Sequence, residues 1–259
     1  MHKARAGIQS LEVGFALLDG LARAGGPLML RDLAAAAGMS AAKAHRYLVS
    51  FQRLGLVQQD PHTSWYDLGP AALQLGLAAL SRIDAVKMAR ARVGPLMLEI
   101  GHTLALAVWG NRGPTIVHWE ESPRAMKVSL RLGDVMPLLS SATGRCFVAH
   151  APPQAIAPLL QEELALARAE ARPDVPQTQG EVDAMLAEVH TRGLARAIDS
   201  LLPAMAAFCA PVFDCDGHLV LGIAALGSIA GFDTAWDGSV ACALRAAAKR
   251  LSADLGHRD

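Results

Sequence analysis

The sequence predicts an α+β protein in which a small helical domain precedes a larger domain rich in strands. Its 259 residues suit one large domain or two modest ones. Apolar residues recur at helical spacing through residues 11–54, whereas short apolar runs bounded by turn residues follow from residue 103 onward. The charge changes with the pattern, because residues 1–66 hold 7 Lys+Arg against 4 Asp+Glu (+3) and the rest holds 17 against 20 (−3).

The first two elements are predicted to be helices of a three-helix core. Ser10 can cap a helix over residues 11–24, and the glycines and proline at 25–27 end it. Residues 30–37 form a short alanine-rich helix, which the tight turn at 38–39 follows. We expect these two helices to support the next one.

Residues 40–54 have the pattern of an amphipathic helix with a basic outer face. Ser40 is suited to cap it, since its side-chain oxygen can accept a hydrogen bond from a free amide of the first turn. Gly55 follows, where a left-handed C-terminal cap favours glycine. The side chains expected to face outward are Ser40, Ala42, Lys43, His45, Arg46, Ser50 and Arg53.

A helix, a short turn with glycine and a basic helix, in this order, predict a helix-turn-helix whose second helix enters the DNA major groove. Strand-like residues 56–59 and 65–68 flank a turn and stand where a wing would follow. Lys43 and Arg46 can then reach guanine edges or phosphates, and Arg53 is expected to meet phosphate. The alternative is the solvated face of an ordinary surface helix.

Gly69-Pro70 marks the end of the first domain, which we assign to residues 1–69. Proline suits the first position of a helix over residues 71–81, an uncharged and amphipathic segment. We assign residues 70–83 to a linker helix or dimer seam, with an ordinary core helix as the alternative. Residues 84–259 form the second domain, which begins with a helix capped by Asp84 and broken at Gly94-Pro95.

The second domain is predicted to hold a central antiparallel sheet with helices around it. Strands are expected at 103–109, 115–121, 126–132, 194–198, 206–213 and 218–226, and further helices at 143–151, 156–171, 181–192 and 236–255.

Two blocks of sequence resemble the IclR family of bacterial transcription regulators, in the right order and over essentially the whole chain. The first is QSLEVGFALLDGLARAGGPLMLRDLAAAAGMSAAKAHRYLVSFQRLGLVQQD with YDLGPAALQLG behind it. The second contains TLALAVW, ESPRAMKVSLRLGDVMPLLSSATGRC, RGLA and CAPVFDCDGHLVLGIAALG. The resemblance implies a winged helix-turn-helix, a linker helix and a GAF-like effector-binding domain. It also implies dimers or tetramers that bind a palindromic operator in double-stranded DNA and respond to a small-molecule effector.

The recognition helix departs from the family's usual pattern at its start. The family has a Pro-Lys-Ser-Thr type of sequence there, whereas this chain has Ser40-Ala41-Ala42-Lys43. His45 and Arg46 are kept. We therefore expect its operator contacts to differ from those of its relatives.

The effector pocket that the resemblance implies also departs from the family, because its polar anchors are largely replaced by Ala and Leu. The candidate effector-binding residues are Leu130, Met136, Ser141, Ala142, Thr143, Gly144, Ile198, Asp199, Ala207, Ala224 and Leu226. Amides at a helix N-terminus favour an anion, so we expect an apolar or aromatic carboxylic acid. The alternatives are that these small residues only allow close packing, or that the protein's own side chains fill the pocket.

Other chemistry has little support in the sequence. Cys146, Cys209, Cys215 and Cys242 show no metal-ligand spacing, and no cofactor is expected. Ser140 or Ser141 with His150 resembles a hydrolase pair without an orienting third group, so an enzyme with an N-terminal helical module is the alternative to a regulator. Since neither a signal peptide nor a membrane span is apparent, we expect a cytoplasmic protein without a membrane partner.

Overall fold

The computed structural model describes residues 7–80, 84–123 and 130–258. The chain divides into two compact units, Met1–Ile83 and Asp84–Asp259. The elements of the first unit are α1 (Gln9–Ala24), α2 (Leu30–Ala36), α3 (Ala41–Arg53), β1 (Val57–Gln59), β2 (Tyr66–Leu68) and α4 (Pro70–Leu80). Those of the second are α5 (Ala85–Ile100), β3 (Thr103–Gly110), β4 (Gly113–Glu120), α6 (Ala142–His150), α7 (Pro153–Ala169), α8 (Gln179–Arg192), β5 (Ala195–Ile198), β6 (Met205–Phe213), β7 (Leu219–Ser228) and α9 (Ser239–Asp254).

The first unit is a winged helix-turn-helix with one small core. α1, α2 and α3 bury apolar side chains against the antiparallel β1–β2 hairpin, among them Leu17, Leu33, Leu48 and Tyr66. Ser40 caps α3 as predicted, since its side chain accepts from the amide of Lys43. The predicted cap of α1 is wrong: this helix begins at Gln9 without a side-chain cap, so Ser10 lies inside it.

The second unit is built on a five-stranded sheet in the order β4-β3-β7-β6-β5, with every neighbouring pair antiparallel. Successive side chains of a strand point to opposite faces. Phe208 and Ala210 accordingly pack with α5 and α9 on one face. Cys209 and Ala224, which are register partners, pack on the other face with Ala142 and Cys146 of α6. The predicted α+β fold class is confirmed.

Two prolines mark helix positions in the second unit, and one of them differs from expectation. The predicted break at Gly94-Pro95 is wrong, because α5 continues through Pro95. Proline removes one helical hydrogen bond, yet the exposed Pro95 is flanked by Val93 and Leu96, which are buried in the core of this unit and hold the helix in place. Pro153 stands at the start of α7, where its missing amide costs nothing, and α6 ends before it at His150.

The strand predicted at 126–132 lies mostly outside the described residues. Residues 130–132 are not in a strand. The next segment pairs with β4 instead, because Thr115 and Val135 form an isolated antiparallel bridge and the amide of Met136 donates to the carbonyl of Pro114 at 2.7 Å. This pairing brings Met136 beside the sheet, at the cavity described below.

Candidate nucleic-acid interface and internal cavity

The outer face of α3 is a continuous exposed surface of small and basic side chains. Every residue predicted to face outward is exposed: Ser40, Ala42, Lys43, His45, Arg46, Ser50 and Arg53. Ala44 and Leu48 hold the opposite face of the helix in the core. This arrangement presents side chains that can donate hydrogen bonds to an anionic partner, with small residues where the helix begins.

The cations of this face are uncommitted. Within the described part of the chain, no carboxylate pairs with Lys43, Arg46 or Arg53. The hydroxyl of Ser50 donates to the carbonyl of Arg46 at 3.3 Å, so its lone pairs, and not its proton, remain for an outside donor. Three free cations on one helix face form a surface suited to phosphate and base edges.

The wing contributes polar groups instead of cations, because residues 56–68 contain neither Lys nor Arg. Asp60 organises its tip by accepting from the amides of His62 (2.8 Å) and Thr63 (2.7 Å), and these bonds lower the pKa of its carboxyl. Gln59 donates to the carbonyl of Ser64 at 3.0 Å. His62 and Thr63 lie at the tip of the wing and are exposed. They were not among the predicted contacts.

A small cavity of about 50 Å³ lies between the sheet and α6 in the second unit. Its floor consists of alanines on neighbouring strands: Ala105 is the register partner of Ala224, and Ala197 that of Ala207. Of the predicted effector-binding residues, those that line it are Leu130, Met136, Ser141, Ala142, Thr143, Ala207, Ala224 and Leu226. The structure thus brings eight of the eleven together around one space.

The other three predicted residues do not line this cavity. Gly144 is needed for close packing, because an added Cβ would lie 1.9 Å from the carbonyl oxygen of Pro137. Ile198 is partly exposed at the end of β5. Asp199 uses its carboxylate on its own loop, accepting from the amide of Ala204 at 2.6 Å.

Several lining residues were not among the eleven candidates. Ala197, Ser200 and Ala206 lie in stretches that the resemblance maps to the pocket, whereas Ala105, Ile116, Trp119, Leu201, Leu202 and Met205 were not predicted. Most lie on β3–β4 or on the loop between β5 and β6. The alternation of side chains along β5 and β6 places Ala197 on the same face of the sheet as its register partner Ala207, which was predicted. No local pattern could have found Trp119 or the loop residues, since their positions depend on how β4 and β5 flank the sheet.

The polar end of the cavity is the start of α6. Ser141 caps this helix by accepting from the amide of Gly144 at 2.8 Å, and its hydroxyl donates to the carbonyl of Pro137 at 2.6 Å. Among the described residues, the amides of Ala142 and Thr143 and the hydroxyl of Thr143 have no hydrogen-bond partner. Thr143 is only 5% exposed. Free amides at a helix N-terminus favour an anion, so this end of the cavity can accept an anionic group.

Residues 137–141, which lead into α6, are held by two partly buried charged side chains. The carboxylate of Glu163 accepts from the amides of Leu138 (2.7 Å) and Leu139 (2.9 Å). Burial raises the pKa of Glu163, against the effect of those two bonds. Arg145 donates to the carbonyl of Leu139 at 2.8 Å, and burial lowers the pKa of its guanidinium. The cavity wall formed by this segment is therefore firmly supported.

The residues considered for hydrolysis do not form a catalytic group. Ser141 caps the start of α6, and His150 is the last residue of this nine-residue helix, which places them about 13.5 Å apart along the axis. His150 packs edge-on against His190 and Phe213. Asp214, Asp216 and His218 lie within 4.8 Å of one another on the β6–β7 turn. Asp214 accepts there from the amides of the other two, as expected of a turn former.

No helix in the described residues is both long and apolar enough to cross a membrane.

Comparison with known proteins relates both units to one family. The family profile for the IclR helix-turn-helix domain matches residues 10–61, and the profile for the C-terminal domain of bacterial transcriptional regulator IclR matches residues 77–253. The crystal structure of Pseudomonas aeruginosa HmgR is 37% identical, covers 96% of this chain and 99% of that chain, and superposes with a TM-score of 0.87.

Curated relatives agree with this result. The HTH-type transcriptional regulator BhcR of Paracoccus denitrificans (strain Pd 1222) is 27% identical over 97% of this chain and 89% of its own length. The transcriptional repressor IclR of Escherichia coli (strain K12) is 27% identical over 60% of this chain and 58% of its own length. Since the profile match at residues 77–253 alone spans more than half of the 259 residues, the chain belongs to the IclR family of bacterial transcription regulators, which combine a helix-turn-helix DNA-binding domain with an effector domain.

Proposed function

We propose that this regulator binds a palindromic operator in double-stranded DNA through Ser40, Ala42, Lys43, His45, Arg46, Ser50 and Arg53. The observation that carries this proposal is the exposed face of α3, whose cations have no carboxylate partner in the described chain. A single helix reads only a few base pairs, so the protein acts as a dimer or tetramer on repeated half-sites. It works in the cytoplasm, away from membranes and without catalytic activity of its own.

The effector-binding site of the proposed regulator is the cavity between the sheet and α6. Its walls are mainly alanine, leucine and methionine side chains, which favour an apolar ligand body by about 25 cal/mol per Å² buried. The start of α6 is the end of the cavity suited to one carboxylate, because the amides of Ala142 and Thr143 and the Thr143 hydroxyl are free there. The effector is therefore an apolar or aromatic carboxylic acid.

A small, highly polar oxoacid is a poor match for this cavity. Each buried oxygen left without a donor costs about 1–3 kcal/mol. Among the residues that line the cavity, Ala207, Ala224 and Leu226 have no polar side-chain atom. Two- or three-carbon oxoacids carry too many oxygens for such walls and too little apolar surface to compensate.

Thermal shift measurements test the effector class. We expect phenylacetate or benzoate to raise the melting temperature and glyoxylate and pyruvate to leave it unchanged. A ligand at one hundred times its Kd stabilises a protein by about 2.7 kcal/mol. In Thr143→Val, which keeps the side-chain shape but removes the hydroxyl, the shift should shrink. Stabilisation by glyoxylate or pyruvate alone would refute this effector class, and no response to any acid would favour a cavity filled by the protein's own side chains.

A further inference from the structure

The cavity is too small for the proposed effector in the conformation described here. A cavity that holds a benzene-sized molecule has a volume of about 150 Å³, whereas this one has about 50 Å³. An aromatic acid can therefore enter only if part of the wall moves. The part of the wall that moves must be able to do so without disrupting the fold of the unit.

Most of the wall is fixed. Ala105, Ala207 and Ala224 lie within strands of the sheet, where backbone ladders hold them on both sides. α6 cannot shift toward residues 137–138, because Gly144 already packs against their backbone. Residues 137–141 are tied down by Glu163 and Arg145.

The loop between β5 and β6, residues 199–204, is held less firmly than these parts of the wall. It supplies Ser200, Leu201 and Leu202 to the cavity wall. Its two ends, Asp199 (φ 55°) and Ala204 (φ 58°), both have left-handed backbone conformations, which are unfavourable for an alanine. These two residues flank the segment that covers the cavity, so they lie at the two positions expected of a hinge. A change of backbone conformation at Ala204 would relieve strain.

The tip of this loop is held by one residue. The hydroxyl of Ser200 donates to the carbonyl of Ser140 at 2.7 Å, and the carbonyl of Ser200 accepts from Arg172, which also pairs with Asp174. Among the described residues, the other hydrogen bonds of the loop lie toward its base. The carbonyl of Leu202 accepts from the amide of Met205 at 3.2 Å, and the amide of Asp199 donates to the carbonyl of Met205. Ala204 donates to the carboxylate of Asp199, and its carbonyl accepts from the amide of Ile229. Releasing Ser200 therefore frees the tip and leaves the base intact.

We propose that the β5–β6 loop is a lid over the effector cavity, hinged at Asp199 and Ala204 and latched through Ser200 by Ser140 and Arg172. The proposal rests on the proposed function, because it takes this cavity as the effector site. Ser200 and Arg172 act as positioning residues: they hold Leu201 and Leu202 over the cavity, and their release admits the effector.

Cysteine labelling in the full-length protein measures lid opening without any effector. The reporter is Ala197→Cys on the cavity wall, a position that is only 5% exposed, in a background where the exposed Cys215 and Cys242 are replaced by serine. Methyl methanethiosulfonate is the probe, and intact mass gives the labelling rate. The test variant is Ser200→Ala, with Arg172→Gln as a second variant. The matched control is Thr191→Ala, which removes a hydroxyl that bonds a backbone carbonyl at an exposed site on α8.

The lid predicts slow labelling of the reporter in the parent protein and an increase of about fivefold in Ser200→Ala, the factor expected for one lost hydrogen bond. Arg172→Gln should also increase the rate, and Thr191→Ala should not. The buried Cys146 and Cys209 should stay unlabelled throughout and show that the fold remains closed.

Three results overturn the lid: equal rates in Ser200→Ala, Arg172→Gln and the parent; parent labelling as fast as that of the denatured chain; or a parallel rise at Cys146 and Cys209, which would mean global unfolding. Because no acid is added, failure of every acid to bind in the thermal shift assay leaves this result readable.

Discussion

The cations on α3 are expected to contact different parts of the DNA according to their position along the helix. Arg46 lies in the middle of the exposed face, where a recognition helix approaches base edges. Arg53 is the last residue of α3, beside the hairpin, where contacts to phosphate predominate. Both are exposed and free of carboxylates in the described chain, so their removal leaves the fold of the unit intact.

Arg46→Ala should abolish specific operator binding, because each lost base contact costs about 1–3 kcal/mol in each half-site. Arg53→Ala should instead weaken binding to all sequences about equally and reduce the salt slope by about one unit per half-site. Quantitative footprinting at several salt concentrations distinguishes the two. Arg90→Ala, an exposed cation of the other unit, is the control. If both α3 variants footprint like the wild type, the DNA-binding face is misassigned.

At the scale of elements, α4 shows an unusual surface. Its leucines are exposed on more than one side of the helix: Leu73 and Leu75 are each 64% exposed and Leu77 is 56% exposed. A helix that is apolar all round is normally buried. Because α4 also carries no charge, a second copy of this helix is the partner that we expect to cover it.

Replacing Leu73 and Leu77 together by glutamate should convert the dimer to a monomer at micromolar concentration, since buried like charges would then face each other across the seam. Operator affinity should fall with it, because half-sites are then bound singly. Sedimentation velocity measures the change, and circular dichroism checks the fold. Gln74→Glu, on the same exposed helix, should stay dimeric. A wild-type protein that sediments as a monomer and still binds one half-site tightly contradicts this arrangement.

Elements marked by local signals were predictable from the sequence, and those set by long-range pairing were not. α3 was found because its cap, apolar spacing and closing glycine are all local. The lining residues Ala142 and Thr143 came from a family motif at a helix start. Trp119 and Leu201 were missed, because only the neighbours of β4 and β5 in the sheet decide what these residues face. The predicted break at Pro95 was wrong for a related reason. The packing of α5 outweighs the local tendency of proline to end a helix.

The stability of the whole molecule should depend on pH through His150. Burial, and next the charge of His190, lower the pKa of His150 from 6.5 to about 4. Its Nε2 is buried and has no hydrogen-bond partner among the residues that the structure describes. Between these two pKa values the unfolded chain binds a proton that the folded chain does not. This contribution to stability is therefore complete above pH 6.5 and is lost as the pH falls toward 4.

Urea unfolding at pH 7.5 and pH 5 should show a loss of stability on acidification, of at most about 1.4 kcal/mol per pH unit for one proton. In His150→Phe, which keeps an aromatic ring beside Phe213, the loss should be smaller. Parallel pH profiles for the two proteins would show that His150 is not the group responsible.

The alanines on the floor of the cavity affect how the ligand preference of this regulator can change during evolution. Side chains at Ala105, Ala197, Ala207 and Ala224 project from paired positions of the sheet, so they can grow by one or two atoms while the backbone ladder stays unchanged. A serine there would add a donor, and a valine would remove space. Single-nucleotide changes can thus give descendants of this protein new chemical preferences, one wall position at a time. The DNA-reading helix lies in another unit and need not change with them.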